Sequence, residues 1–283
     1  LVRLIEPHYP KAGRGRQPLG LEKMLRIYLL QIWFDLSDPQ AEDSIYDSES
    51  MRRFVGVELP DDVVPDETTI LRFRRLLEQN KLTEQIFDEV KTLLEKRHLF
   101  VRSGTIVDAT IISAPSSTKN RNKSRDPEMS QTKKGSNWHF GMKIHIGTDT
   151  RGLVHSLTTT NAAASDIGQM PKLLHGDERV LYGDRAYWKE ENREGCRSAG
   201  VRYRVNRRGC RHRPLTENDR RINRSRSRTR AFVEYPFLVV KRLWGWSKTR
   251  YRGLAKNTAR AFSAFAMANL YLARKDLLLS VGR

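Results

Sequence analysis

Gly104-Thr-Ile-Val-Asp-Ala-Thr-Ile-Ile112 is the stretch on which the reading of this chain turns. Its Thr, Ile and Val content is that of a β-strand, and Asp108 interrupts it with a carboxylate that is costly there unless something compensates its charge. Two more acids stand in apolar or basic surroundings. Asp184 closes Arg179-Val-Leu-Tyr-Gly-Asp184, and Glu234 lies within Arg230-Ala-Phe-Val-Glu-Tyr-Pro-Phe-Leu-Val-Val-Lys241. Taken singly, Asp108 is explained by a salt bridge, Asp184 by a turn or cap beside Gly183, and Glu234 by an exposed helix face. Taken together they are a candidate catalytic and metal-binding triad. Cleavage of a phosphodiester with two divalent ions needs hard oxygen ligands converging on ions roughly 4 Å apart, one ion for the attacking oxygen and one for the leaving oxygen.

The strand pattern continues outward from Asp108. Phe140, Met142, Ile144 and Ile146 alternate with Gly141, Lys143 and His145, and Thr148-Asp-Thr-Arg-Gly152 supplies turn residues before Leu153–Thr160, so residues 140–160 read as a hairpin. A helix capped by Ser165 or Asp166 and running to about His175 comes next. It is followed by a strand at Arg179–Gly183, a helix at Trp188–Gly200 and a strand at Val201–Val205. This order predicts a mixed α/β sheet flanked by helices, with its first and fourth strands side by side. Upstream the period is helical: Leu21, Met24, Leu25, Tyr28, Leu29, Ile32, Trp33 and Leu36 form one stripe. Pro65-Asp-Glu-Thr-Thr69 starts another helix, and a third, with Ile86, Phe87, Val90, Leu93 and Leu94 on its apolar face, ends near Arg97. Residues 1–99 are therefore expected to be an all-helical domain and residues 100–283 the α/β domain. The last helix is expected at Ala259–Leu278.

Charge indicates the partner. The 283 residues carry 52 Lys and Arg against 33 Asp and Glu, a formal charge of +19, which points to a polyanion. Ser113–Ser136 reads as a long polar loop, and Arg207–Arg230 holds ten arginines, including Arg226, Arg228 and Arg230; the alternative for that run is a solvated charged loop. Lys143, on the polar side of its strand with His139 and His145, either faces DNA or is simply solvated. Cys196 and Cys210 have no CxxC or zinc-type spacing and read as ordinary thiols. No stretch approaches the ~20 apolar residues of a membrane span and the first twenty residues lack a secretory segment, so no membrane and a cytoplasmic location are expected. The chain begins at Leu1 rather than Met, which leaves room for a missing N-terminal piece.

At the level of motifs the chain resembles the DDE transposases of bacterial insertion sequences, in particular the insertion-sequence-five group, whose catalytic domain is ribonuclease-H-like. The residues that carry the likeness are Val64-Pro-Asp-Glu-Thr-Thr-Ile-Leu-Arg-Phe73, Ile106-Val-Asp-Ala-Thr110, Tyr182-Gly-Asp-Arg-Ala-Tyr187 and the tail Tyr251-Arg-Gly-Leu-Ala-Lys-Asn-Thr258. Asn161 and Asp166 also resemble family positions, although helix capping suffices for Asp166. The family's signature of Tyr, Arg, Glu and Lys is matched at Arg230, Glu234 and Lys241, with Ser227 at the Tyr position. The resemblance implies Asp108, Asp184 and Glu234 as catalytic residues holding two Mg2+ or Mn2+ ions, and Arg230 and Lys241 as grips on DNA phosphate. Pro236 is expected to kink the helix that carries them. It also implies binding of terminal inverted repeats and target DNA as a homodimer or higher multimer, and a bacterial, nucleoid-associated enzyme of cleavage and strand transfer. The helical domain would recognise DNA ends and join subunits. Trp244 and Trp246, flanked by basic residues, either stack on an unpaired base or pack against the last helix. The competing readings are a transposase-derived DNA binder that no longer cleaves and a stand-alone ribonuclease-H-like nuclease.

Overall fold

The computed structural model describes residues 1–13, 17–59, 62–121, 123–210 and 212–279. Arg211 of the arginine run, and Arg14 and Arg16 near the start, lie outside them.

Residues up to about 99 are helical, as their periodicity predicts. After α1 (Val2–Ile5) and a 3-10 turn come α2 (Leu21–Trp33), α3 (Asp38–Asp47), α4 (Glu49–Val55), α5 (Glu67–Gln79) and α6 (Leu82–Lys96). Local chemistry sets several of the starts. Ser37 and Gln40 form a reciprocal capping box on α3, and the Asp66 carboxylate accepts the Thr69 amide at 2.6 Å to start α5.

Six strands follow: β1 (Gly104–Ser113), β2 (Ser130–Lys134), β3 (Asn137–Thr148), β4 (Val154–Asn161), β5 (Val180–Gly183) and β6 (Arg202–Val205). β3 lies antiparallel to β1 and β4 antiparallel to β3, while β5 and β6 run parallel to β1, giving the order β4-β3-β1-β5-β6. That is a ribonuclease-H-like mixed sheet, and β1 and the strand before Asp184 are neighbours as expected. Gly141 pairs with both Ser113 and Ser130, so β2 lies on the same edge of β3 as β4, end to end with it.

Three expectations are corrected. The loop at 113–136 contains β2, which the absence of apolar residues from Ser-Gln-Thr-Lys-Lys hid. The helix at 165–175 is a 3-10 segment, Ile167–Leu173, interrupted by Pro171. Half of the arginine run is a helix, α8 (Glu217–Arg230), opened by a Thr216–Asp219 capping box; α7 (Glu190–Ser198) precedes it.

The chain after α8 stays helical but irregular. A 3-10 turn at Ala231–Val233 leads into α9 (Glu234–Leu238) and then a π-helical turn at Val239–Leu243. Pro236 has no amide to give a regular helix, and the helical turns change from 3-10 through α to π across this segment while Arg230 and Glu234 keep their i,i+4 contact. The last helix, α10 (Leu254–Leu279), starts five residues before Ala259.

The sheet separates two cores. On one face Ile106, Ile112, Met142, Ile144 and Ile146 join the helices of the N-terminal region, Val233, Phe237 and α10 in a single cluster. On the other, Val107, Leu181, Leu173, Met170, Tyr187 and Val205 form a smaller one. α10 is pinned to β4 by Asn269, whose amide accepts from the Val154 N–H and donates to its carbonyl, both at 2.7 Å. It is pinned to the N-terminal helices by Tyr28 donating to Ser263 at 2.9 Å and by Phe87 packing edge-on against Phe262.

Candidate active site

Register places the first two acids. Val107 pairs with Gly183 across the parallel β1–β5 ladder, and Asp108 and Asp184 are the next residues on each strand. Asp108 therefore shares a face of β1 with Ile106 and Thr110, the face that α9 and α10 cover. Asp184 leaves its strand as the N-cap of a 3-10 turn, one carboxylate oxygen accepting the Ala186 amide at 2.7 Å.

Glu234 reaches the same place through Arg230. The Arg230 guanidinium donates to Asp108 Oδ2 at 2.8 Å and lies 4.0 Å from Glu234 Oε1, so one cation bridges two of the three acids. Asp108 Oδ1 accepts the Ala109 amide at 2.8 Å. Its pKa is nonetheless raised to about 6, because burial outweighs the Arg230 charge and the Ala109 amide; the Asp184 and Glu234 charges add smaller upward pushes. Glu234 itself is half exposed, its side chain at 53%.

Lys241 completes the face. Its ammonium donates to Thr110 Oγ1 at 3.2 Å and to the Ile111 carbonyl at 3.0 Å, two residues along β1 from Asp108. Burial lowers its pKa, helped by the nearby Lys134 and Arg242 charges. Arg230 and Lys241 thus meet over β1 although the helix between them is irregular.

Lys143 is not brought to this site. It lies on the opposite face of the sheet and donates to the Ala164 carbonyl and to Asp166, both at 2.8 Å. The carboxylate of Asp166 serves that ion pair and makes no capping hydrogen bond. Lys143, expected as a DNA contact, is instead engaged by Ala164 and Asp166 on the face away from the three acids. His145 is fully buried there, its pKa lowered to about 4 chiefly by burial. Arg226 donates to the Val205 carbonyl at 2.6 Å, closing the end of β6, whereas Arg228 is exposed and lines a groove with Arg220, Arg224 and Ser227. Ser227 accepts from the Asn206 side-chain amide at 3.0 Å and so is tied to the segment after β6. Trp244 and Trp246 are 7% and 1% exposed and belong to the core.

Two features escaped the sequence reading. Tyr187, three residues beyond Asp184, buries its hydroxyl without a hydrogen-bond partner among the described residues, under the influence of Asp108, Asp166 and Asp184. A cleft beside Asp184 is lined by Lys133, Lys134, Arg185, Arg207 and Arg208, drawn from the β2–β3 turn and two loops.

The donor set is one that hard divalent cations accept: carboxylate oxygens, in a position where a guanidinium already neutralises two of them. Among the described residues no three His, Cys, Asp or Glu side chains stand close enough to hold one ion, and Arg230 lies between Asp108 and Glu234.

Comparison with known proteins agrees with this architecture. Residues 1–76 match the family described as Transposase domain (DUF772). Among solved structures, the Mos1 strand transfer complex aligns over 95% of this chain and 81% of its own, at 10% identity and a TM-score of 0.28. A pre-cleavage Mos1 transpososome aligns over 95% and 82%, at 13% identity and a TM-score of 0.24. Superpositions that loose carry no weight for fold or chemistry. Residues 99–270, which hold all three acids, match the family described as Transposase DDE domain, and the chain belongs to that family of DNA transposases.

Proposed function

We propose that this transposase hydrolyses a phosphodiester at each end of its element and then joins the freed 3′ hydroxyl to target DNA, with Asp108, Asp184 and Glu234 as the catalytic residues. The observation that carries this reading is their convergence: two acids one residue beyond a paired parallel register, the third linked to the first through Arg230. In the first step a water oxygen attacks phosphorus and the bond to the 3′ oxygen breaks, leaving a 3′ hydroxyl and a 5′ phosphate. In the second that hydroxyl attacks a target phosphodiester, and one P–O bond is exchanged for another.

Asp108, Asp184 and Glu234 would hold two Mg2+ or Mn2+ ions, which activate the attacking oxygen and stabilise the leaving one when bound. Closing the triad requires Arg230 to leave Asp108. A guanidinium so released has donors for a DNA phosphate, and Lys241 stands beside it with a second charge. The raised pKa of Asp108 fits this exchange, because a carboxylate destabilised chiefly by burial gains from added positive charge. Arg228 and the arginines of its groove extend the phosphate-binding surface.

The helical region, residues 1–99, is proposed to recognise the terminal inverted repeats and to contribute contacts of a dimer or higher multimer. Assignment to the insertion-sequence-five group rests on the motif spacing alone.

A second reading has one observation in its favour. Ser227 stands where the signature has Tyr, tied to Asn206, as in a transposase-derived protein that binds without cleaving. Joining separates the two. A duplex ending in the element's terminal sequence with a 3′ hydroxyl should be joined to a supercoiled target plasmid in Mg2+, and the same duplex with a 3′-deoxy end should not. Tight binding with no joining of either duplex supports the inactive binder, and joining of the deoxy end contradicts the proposed nucleophile.

A further inference from the structure

Of the five tryptophans, Trp138 alone is exposed: the residue is 67% accessible, whereas Trp33 and Trp188 are partly buried and Trp244 and Trp246 are core residues. It sits at the start of β3, next to the tight turn in which Gly135 takes the positive φ of 63°. Its cross-strand partner is Lys133, not an apolar residue, and the Lys133 ammonium stands 6.0 Å from the centre of the indole ring. A large ring two-thirds accessible at a hairpin tip adds little to its own fold and leaves a π-face free for a ligand.

The hairpin's position says what that ligand is. Lys133, Lys134 and Gly135 line the cleft that contains Asp184, with Arg185, Arg207 and Arg208 opposite, and the Lys134 charge acts on Lys241. Five cations beside an acid of the catalytic set, with Lys133, Lys134 and Arg185 exposed, Arg208 half-buried and Arg207 half-buried against Asp219, suit a phosphate backbone. An indole beside one of those cations selects a π-face. A nucleic acid strand with an unpaired base has both, whereas a fully paired duplex keeps its base faces stacked on one another.

We propose that Trp138, with Lys133 against it, is a stacking platform for an unpaired DNA base beside the scissile phosphate, holding the strand open at the mouth of the carboxylate cleft. This rests on the reading of the site as one that cleaves DNA. Trp138 takes no part in bond making; it positions the strand. Its energetic share is that of one base–aromatic stack, on the order of tenfold in affinity.

Two fluorescent probes of one mixed sequence test it: a blunt duplex, and the same duplex with a forked end carrying 2-aminopurine in the unpaired arm. The intact protein should prefer the fork and quench the 2-aminopurine. Trp138→Ala should lose about tenfold on the fork and the quenching with it, with blunt-duplex binding unchanged. Trp138→Phe should keep most of both, because it keeps a ring. Equal losses on the two probes, or an undiminished fork preference in Trp138→Ala, would overturn the proposal. Failure of the cleavage reading is separate: it shows as intact protein that prefers the fork through Trp138 yet breaks no strand in Mg2+ or Mn2+.

Discussion

Asp108 is the residue on which the chemistry and the stability of this fold meet. Its ion pair with Arg230 is largely shielded, the side chains being 16% and 26% exposed, so Arg230→Ala leaves a crowded carboxylate without its counter-charge. That variant should be less stable by roughly 1–3 kcal/mol in urea at neutral pH in EDTA, and an unchanged midpoint would contradict the role given to the pair. Asp184→Asn is the contrasting case. Asparagine caps a turn as well as aspartate does, and losing the charge relieves Asp108, so stability should hold while strand cleavage disappears. His145 makes a different prediction. Its pKa is about 4 in the folded protein, set by burial against the pull of Asp166 and with Lys143 and Lys172 assisting, and near 6.5 unfolded. The folded state therefore holds fewer protons between these values. Its stabilising share is complete above about pH 6.5 and is lost as pH falls toward 4. His155, also lowered to about 4, adds to the same window. Unfolding midpoints at pH 7.5 and 4.5 should fall less far apart in His145→Gln than in the unsubstituted protein; equal falls would sink the assignment.

At the scale of elements, the β1–β2–β3 junction is the tightest point. A Cβ on Gly141 would stand 2.1 Å from the Ile112 carbonyl oxygen and 2.9 Å from the Ala114 nitrogen, both backbone atoms that the ladder fixes. Gly141→Ala should cost more than about 3 kcal/mol or leave no soluble protein. Gly195→Ala, in the middle of α7 with nothing within 4 Å of the added methyl, should instead gain about 0.5–1 kcal/mol. Denaturant titration of the pair checks both signs. The elements also show what the sequence could reveal. β1 was legible from its β-branched run, β3 from its apolar alternation and β4 from the turn residues before it, and so were α2, α5 and α6 from their stripes. β2 was not, since a surface ribbon of Ser, Gln, Thr and Lys has no hydrophobic period. α8 buries no residue at all, and its only written signal is the Thr216–Asp219 capping box. Asp108, Asp184 and Glu234 stood out as acids in apolar or basic settings. Trp138 did not, because exposure depends on the turn at Gly135, and Lys143 misled because alternation reports which side a residue is on without saying what meets it there.

The larger of the two apolar clusters runs from the N-terminal helices through α10 to the sheet. Asp35 pairs with Arg250 and Arg260, each at 2.8 Å, and Arg74 lies over the Tyr251 ring at 4.0 Å, so the helical region and the tail are locked by charge as well. A fragment lacking residues 1–99 would uncover the α6-facing side of α10. It should unfold without cooperativity and bind dyes that report exposed apolar surface, and a fragment with a sharp two-state transition would show that the two regions are independent. The charge of +19 acts at this scale too. With about six phosphates contacted, the logarithm of the duplex binding constant should fall against that of salt with a slope of about −5, and a slope near zero would remove the polyanion argument.

The most direct measurement is strand cleavage of a plasmid carrying the gene between its natural flanks, with intact protein and Asp184→Asn compared in magnesium, manganese and EDTA. Breaks that map to the flank boundaries, need metal and vanish in the variant are the expected result. Breaks that survive in Asp184→Asn, or that scatter along the plasmid without regard to the flanks, would contradict the assignment of this site as the centre of a transposase.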